Sequence, residues 1–191
     1  MSVAGLVLAA GAGSRYGVAK ILAVGDDGVP WVQRAVIALR HAGCDPILVT
    51  VGAEGGAALS LLDESTGMGD VTAVLVDRWD DGISASISAG LAAAVELPAV
   101  EAVVIVPVDV PSLSTPMVRR VLGETGGVAS ALRQATFAGR PGHPVLVGRE
   151  HWAQLRASLH GDLGARPYLI AHCVQEVDCS DLGSGEDVDR R

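Results

Sequence analysis

Short, continuous apolar runs rich in Val, Ile and Leu recur along the chain at residues 3–9, 47–51, 71–76, 103–108 and 145–147. Runs of this kind suit strands buried on both faces, whereas a half-exposed sheet alternates apolar with polar residues. Helical patterns fill the intervals. Residues 30–42 open with Pro30 at a first helical position and stop before Gly43, and residues 57–63, 84–97, 116–122 and 150–159 read the same way. Strands that alternate with helices wind into right-handed βαβ units, so the chain predicts a three-layer α/β/α architecture with a mostly parallel sheet. With 191 residues and no repeat, low-complexity tract or long linker, residues 1–191 read as one domain. A domain of that size buries roughly two-thirds of the surface its unfolded chain exposes, so it needs no disulfide or structural metal. Residues 134–142 and 180–191 are expected to be the least regular parts.

Charge narrows the function classes. Fourteen basic residues against 22 acidic ones leave a net charge of −8, the wrong sign for a protein that grips nucleic acid through phosphates. An anionic ligand must then be held by a few local cations, backbone N–H groups or a bound metal. Cys44, Cys173 and Cys179 lack the close pairs of a zinc site or redox motif, which suits a reducing compartment. Residues 1–14 are uncharged but lack the basic start of a signal peptide, and no uncharged apolar run reaches the roughly 18 residues of a membrane span. The expectation is a cytoplasmic protein with no membrane partner.

In an open α/β sheet the ligand crevice lies outside the carboxyl ends of the strands, which directs attention to the turns after Ala9, Val76 and Val108. The first is Ala10-Gly-Ala-Gly-Ser-Arg-Tyr-Gly-Val-Ala-Lys20. Glycines let backbone N–H groups approach phosphate oxygens, and a helix start adds its dipole. A dinucleotide fingerprint would need glycine where Tyr16 stands and an acid where Thr50 and Val51 end the second strand; a P-loop would need Gly-Lys-Ser/Thr, whereas Lys20 lies between Ala19 and Ile21. What remains distinctive is the pair of cations, Arg15 and Lys20. Phosphoryl and nucleotidyl transfer are catalysed largely by positioning and by stabilising negative charge on the phosphates, a task two cations beside a backbone cradle suit. The turn after Val108 supplies the complement. Asp109 ends a fully apolar strand, where a carboxylate is costly unless solvated or paired, and the divalent metal that accompanies a nucleoside triphosphate is one such partner. Capping of a helix that begins near Ser114 is the competing role for Asp109.

Leu8-Ala-Ala-Gly-Ala-Gly-Ser-Arg-Tyr-Gly-Val-Ala-Lys20 resembles the signature Leu-Ala-(Ala/Gly)-Gly-x-x-x-Arg-(Met/Leu)-Gly-x-x-Lys of the MobA-like NTP transferases, with Tyr16 a conservative departure. These join nucleoside triphosphates to sugar phosphates, methylerythritol phosphate or molybdopterin. The resemblance implies a Rossmann-like nucleotidyltransferase fold. It also implies catalytic roles for Arg15, Lys20 and Asp109, and nucleotide binding by Leu8, Ala9, Ala10, Gly11, Ala12 and Gly13. Ser84, Ser86 and Gly90 fall in a segment resembling Gly-x-x-x-Ser-(Leu/Ile/Val)-x-x-Gly-Leu, which implies a place in the base and ribose pocket; helix capping would account for one serine without it. Asp109 matches the family's metal ligand, and Asp187-Val188-Asp189 matches the first three residues of its Asp-x-Asp-Thr-Pro motif, with Arg190 and Arg191 in place of Thr-Pro. The implied metal is Mg²⁺ on Asp109, Asp187 and Asp189.

The Ala-Ala-Gly spelling and two later segments resemble molybdenum cofactor cytidylyltransferases in particular. Gly139-Arg-Pro-Gly-His-Pro144 and Gly161-Asp-Leu-Gly-Ala-Arg166 carry that likeness and imply acceptor binding by Arg140, His143 and Arg166. Guanidinium groups suit a phosphate on the acceptor, although both arginines also read as surface residues paired with neighbours such as Asp162. The implied substrates are CTP and a molybdopterin-type acceptor, with a molybdoenzyme as the partner receiving the product. Three alternatives stay open. One is a guanylyltransferase or a sugar- or polyol-phosphate transferase of the same fold. The second is a non-catalytic nucleotide-binding module, motivated by the departure at Arg190. The third is a dinucleotide oxidoreductase, which the missing acid after the second strand disfavours. Trp31 and Trp152 read as core residues and Trp79 as a rim residue of the nucleotide pocket.

Overall fold

The computed structural model describes residues 2–13, 17, 19–52, 55–64, 70–123 and 126–188. Its regular elements run β1 (Ser2–Leu8), α1 (Trp31–His41), β2 (Ile47–Val51), α2 (Gly55–Glu64), β3 (Val71–Leu75), α3 (Ile83–Val95), β4 (Val100–Pro107), α4 (Thr115–Leu122), β5 (Leu132–Phe137), β6 (Arg140–Gly148), α5 (Arg149–Ser158), α6 (Arg166–Ala171) and β7 (Gln175–Asp178). The strands form one sheet in the order β3-β2-β1-β4-β6-β5-β7.

Side chains alternate across each strand, so the apolar runs feed two cores. Val3 and Val7 of β1 with Ala102, Val104 and Val106 of β4 face α1 and α4, where Val36, Leu39, Met117 and Val121 are fully buried. Ala4, Leu6 and Leu8 with Val103 and Ile105 face the opposite layer, where Leu91 of α3, Trp152 and Leu155 of α5 and Leu169 of α6 pack. This is the three-layer α/β/α arrangement of the sequence pattern. Trp31 and Trp152 are core residues, as their helical patterns imply.

The second half of the sheet departs from expectation. Residues 134–142, expected to be irregular, form most of a hairpin: β5 pairs antiparallel with β6, and β6 pairs antiparallel with β4. The signal is hidden because β5 buries polar side chains, Gln134 and Thr136, which interrupt the apolar run. β7 is a mostly exposed edge strand, where polar residues are favoured and an apolar run is absent, and α6 spans only six residues. The remaining pairs, β1 with β2 and β4, β2 with β3 and β5 with β7, are parallel. No described helix is long and apolar enough to cross a membrane.

Candidate active site

β1 and β4 lie side by side at the centre of the sheet, with β2 and β3 continuing beyond β1 and the antiparallel strands beyond β4. That is the switch point of an open sheet, and the turns leaving the two strands meet there. The first is pinned by Thr50, which occupies the position at which a dinucleotide site would carry an acid. Its fully buried hydroxyl accepts the Ala9 N–H at 3.1 Å and donates to the Val7 carbonyl at 3.3 Å. Sequence reasoning missed this supporting residue, because a threonine within an apolar run carries no sign of which groups it bonds. The loop closes where the Lys20 N–H donates to the Gly11 carbonyl at 3.4 Å, and the buried side chain of Ile21 anchors the short 3-10 turn Lys20–Leu22.

Lys20 and Asp109 form an ion pair across the switch point. Asp109 is 7% exposed and stands two residues past the end of β4. The helix after it is capped by Ser114 in extended backbone, so Asp109 is not its N-cap. Two cavities open on either side of the pair. The smaller, about 240 Å³, is bordered by Leu8, Ala9, Ala10, Gly11 and Gly13 of the loop and by Trp79, Gly82 and Ser86. The larger, about 470 Å³, is bordered by His143, Gln134, Arg166 and Asp187 together with aliphatic side chains such as Ile87, Ile105 and Leu169. Leu8, Lys20, Ile83, Pro107, Asp109 and Asp162 border both, so they are two lobes of one cleft.

Charge in the larger lobe is held by position. His143 stands near the start of β6, and burial pushes its imidazole down to about 4, against the opposing pull of Asp109 and Asp187. It is therefore a neutral hydrogen-bonding group at physiological pH. Asp187 reaches the cleft because the Val188 N–H donates to the Asp109 carbonyl at 2.9 Å, tying the tail to the end of β4. Among the described residues no group of three metal-ligating side chains converges. Asp109 and Asp187 bordering one lobe nevertheless fit Mg²⁺, which takes one or two protein carboxylates and fills its shell with phosphate oxygens and water.

The other sequence-predicted residues divide as follows. Ser86 borders the nucleotide-side lobe, but Ser84 faces a separate small cleft with Arg156 and His160. Neither serine caps α3, whose N-cap is Gly82. Gly90 borders neither lobe; it lies against Leu6, where a Cβ would be 2.5 Å from a Leu6 methyl. Ala12 and Arg140 also border neither lobe, and Arg140 is exposed at the start of β6. Arg166 is exposed at the rim of the larger lobe. Trp79 borders the smaller lobe at 37% exposure, the rim position its sequence context suggests. Arg15 and Asp189 lie outside the described residues. Gln134 and Asp162 belong to the cleft and carry no site role in the sequence reading: nothing local marks Gln134, and in the segment 161–166 only Arg166 is given one.

A glycine-rich loop and a cation–carboxylate pair meeting at the switch point of a three-layer sheet mark a nucleotide-handling α/β protein. The profile of the MobA-like NTP transferase domain matches residues 5–177, and the chain belongs to that family of nucleotidyltransferases. A nicotine blue oxidoreductase from Paenarthrobacter nicotinovorans is 29% identical over 194 residues, covering 98% of this chain and 92% of the relative. Among solved structures, Rv0371c from Mycobacterium tuberculosis H37Rv is 28% identical with a TM-score of 0.76, covering 100% of this chain and 94% of that one. A complex of Rv0371c with manganese matches at 24% identity and a TM-score of 0.67, covering 93% and 88% of the two chains. A nucleotidyl transferase from Methanothermobacter thermautotrophicus shares the fold, with a TM-score of 0.80 at 21% identity over 99% of this chain and 92% of that one.

Proposed function

We propose that the protein transfers CMP from CTP to a phosphate-bearing acceptor, molybdopterin, in an Mg²⁺-dependent reaction that releases pyrophosphate. The observation that carries this reading is the Lys20–Asp109 pair at the junction of two lobes, one walled by the glycine-rich loop and the other by His143 and Arg166. A transferase needs that plan, with the reacting phosphate held between donor and acceptor. In this reading the backbone from Leu8 to Gly13 cradles the triphosphate, and Ser86 and Trp79 border the nucleoside. Lys20, with Arg15, draws off charge as pyrophosphate leaves, and Arg166 receives the acceptor's phosphate. Asp109, Asp187 and Asp189 would hold the metal, which when bound neutralises phosphate charge; that a relative has been solved in complex with manganese supports a divalent ion. The choice of CTP and molybdopterin rests on the Ala9-Ala10-Gly11, Pro141-Gly-His-Pro144 and Gly161-Asp-Leu-Gly-Ala-Arg166 segments.

Pyrophosphate release measured with CTP, GTP, ATP and UTP, each with molybdopterin and Mg²⁺, tests the reading. Release with CTP alone is the expected result. Release with GTP moves the assignment to a guanylyltransferase, release with a sugar phosphate in place of molybdopterin changes the acceptor, and nucleotide binding without release under any acceptor leaves a binding module.

A second reading follows from the 29% identity to a nicotine blue oxidoreductase, which covers almost the whole chain. On that reading the same cleft serves reduction of a heterocyclic ligand. Oxidation of NADH or NADPH on addition of nicotine blue would favour it, whereas the transferase reading expects none.

A further inference from the structure

The wall of the cleft carries a carboxylate that the roles above leave unused. Asp162 lies on a short 3-10 turn, Gly161–Leu163, between α5 and α6, and it borders both lobes. The residues that follow it, Leu163, Gly164, Ala165 and Arg166, border the larger lobe only. Asp162 alone of this loop reaches the side of the glycine-rich loop.

Its position is fixed by a second element. Gly82, the N-cap of α3, has φ +93°, a conformation that residues with a Cβ rarely adopt. A Cβ there would also collide with Asp162 Oδ1 and stand 2.9 Å from the Gly161 carbonyl oxygen. Glycine at 82 thus admits the carboxylate as well as turning the chain. Because Gly82 borders the smaller lobe and not the larger, the Asp162 oxygen beside it belongs to the nucleotide side. Among the described residues Asp162 forms no ion pair or side-chain hydrogen bond, so its acceptor sites are available to a ligand.

An ionised carboxylate accepts hydrogen bonds and donates none. It repels phosphate and selects O–H and N–H donors, which in a nucleotide are found on the ribose and on the amino group of the base. With Lys20 bordering the same lobe, the site has a cation for the anionic end of the ligand and a carboxylate for its donor-bearing end. We propose that Asp162 is a nucleoside-binding, specificity-determining residue that accepts hydrogen bonds from the hydroxyl or amino donors of the nucleotide. The proposal rests on the nucleotidyltransferase reading above.

Calorimetric titration of the wild type and of Asp162→Asn with Mg²⁺ complexes of CTP, 2′-deoxy-CTP, 3′-deoxy-CTP and UTP tests it. A hydrogen bond to a charged group discriminates by about 10- to 100-fold against a ligand that lacks the donor. The wild type should therefore prefer CTP by that factor over at least one analogue, and Asp162→Asn, which keeps an acceptor oxygen but loses the charge, should cut the preference to a few-fold. A preference lost against the deoxy analogues identifies ribose hydroxyls as the donors, and one lost against UTP identifies the amino group. Unchanged ratios in Asp162→Asn, or equal weakening of all four ligands as a merely structural loop residue would give, overturn the proposal. Asp162→Ser, which also removes the charge, provides the same comparison should the asparagine variant melt early. A wild type that binds no nucleotide overturns the transferase reading itself, whereas a wild type that binds all four alike overturns only the role of Asp162.

Discussion

Replacing Lys20 by Met should destabilise the ligand-free protein, because it leaves the largely buried Asp109 carboxyl beyond the end of an apolar strand without its cation. The side chains of Lys20 and Asp109 are 22% and 10% exposed. Breaking a fully buried pair from one side costs about 3–5 kcal/mol. About a fifth of the lysine surface is wet, and water entering there relieves part of the carboxylate's penalty, so the expected loss is about 2–3 kcal/mol. For a domain of 150–250 residues that corresponds to a fall in Tm of about 4–12 °C. Asp109→Asn should cost less, about 1 kcal/mol, since the freed ammonium can swing into water on its flexible stem. The double variant strands neither charge, and its loss should fall short of the sum of the single losses by about 1–3 kcal/mol. Urea unfolding of the four proteins in EDTA measures this coupling. Repeating it with Mg²⁺ tests the second role of Asp109, since the cation should restore stability to Lys20→Met and leave Asp109→Asn unchanged. Single-variant losses that add to within about 0.5 kcal/mol would refute the coupling, and equal Mg²⁺ stabilisation of all four proteins would remove Asp109 from the metal site.

Gly90→Ala would put a Cβ within 2.5 and 2.6 Å of the two methyls of Leu6, which is fully buried and has nowhere to retreat. Overpacking of about 1–3 kcal/mol outweighs the roughly 1 kcal/mol gained by replacing glycine in a helix. Thermal unfolding should show the loss while the KM for CTP stays unchanged; a raised KM at unchanged stability would instead make Gly90 a nucleotide contact. The His143 imidazole is pushed down to about 4 from its ordinary 6.5, so on acidification the unfolded chain takes up a proton before the folded one does. Stability from this group is complete above pH 6.5 and is lost as pH falls towards 4, by at most about 3 kcal/mol. His143→Gln should flatten urea-derived stability across that window, and an identical slope in wild type and variant would refute the assignment. Burial pushes the Cys44 thiol up to about 12 and also raises that of Cys179, whereas Cys173 is exposed. A thiol reagent should modify about one of the 3 cysteines in the native protein and all of them in denaturant. Rapid modification of two in the native state would contradict the packing.

The sequence was most legible where one physical cause dominates. The strands β1, β2 and β4 announce themselves because burial on both faces demands Val, Ile and Leu, whereas β3 keeps an apolar run at the edge of the sheet with its residues only partly covered, and the ends of α1 to α5 fall within two residues of the expected bounds. Legibility fails where that demand relaxes. β5 satisfies buried polar groups through its neighbours, for example by the Gln134 amide donating to the Gly142 carbonyl at 3.3 Å, and no local pattern encodes a partner eight residues away. The cleft shows the same division. Lys20 and Asp109 stand out because a charge beside a glycine loop or at the tip of an apolar strand has few structural uses. Ser84 and Ser86 look alike in sequence, yet two positions along one turn of α3 put them on opposite sides of the helix and against different clefts. Asp162 lies in a segment legible from the sequence, but its place beside the glycine-rich loop emerges only once Gly82 is seen to make room for it.

The antiparallel strands explain how distant segments of the chain reach one edge. Because β6 runs against β4, with Ala102 opposite Gly148 and Ile105 opposite Val145, the start of β6 lies beside the end of β4. The residues that begin β6, Pro141 to His143, therefore arrive next to Asp109, where a parallel strand would bring only the residues that follow it. β5 runs against β6 and so parallel to β4, and β7 is parallel to β5, which places the end of β7 on that same edge. From Asp178 the tail has to cross from β7 past β5 and β6 to β4, three strand spacings or about 14 Å. The ten residues to Val188 span that distance with slack, and the Val188 N–H fastens the crossing to the Asp109 carbonyl. Two antiparallel pairings thus convert a nucleotide-binding half-sheet into a two-lobed cleft: β1 and β4 supply the glycine loop and Asp109, the reversed strand β6 brings His143, and the tail that follows β7 brings Asp187 to the facing lobe.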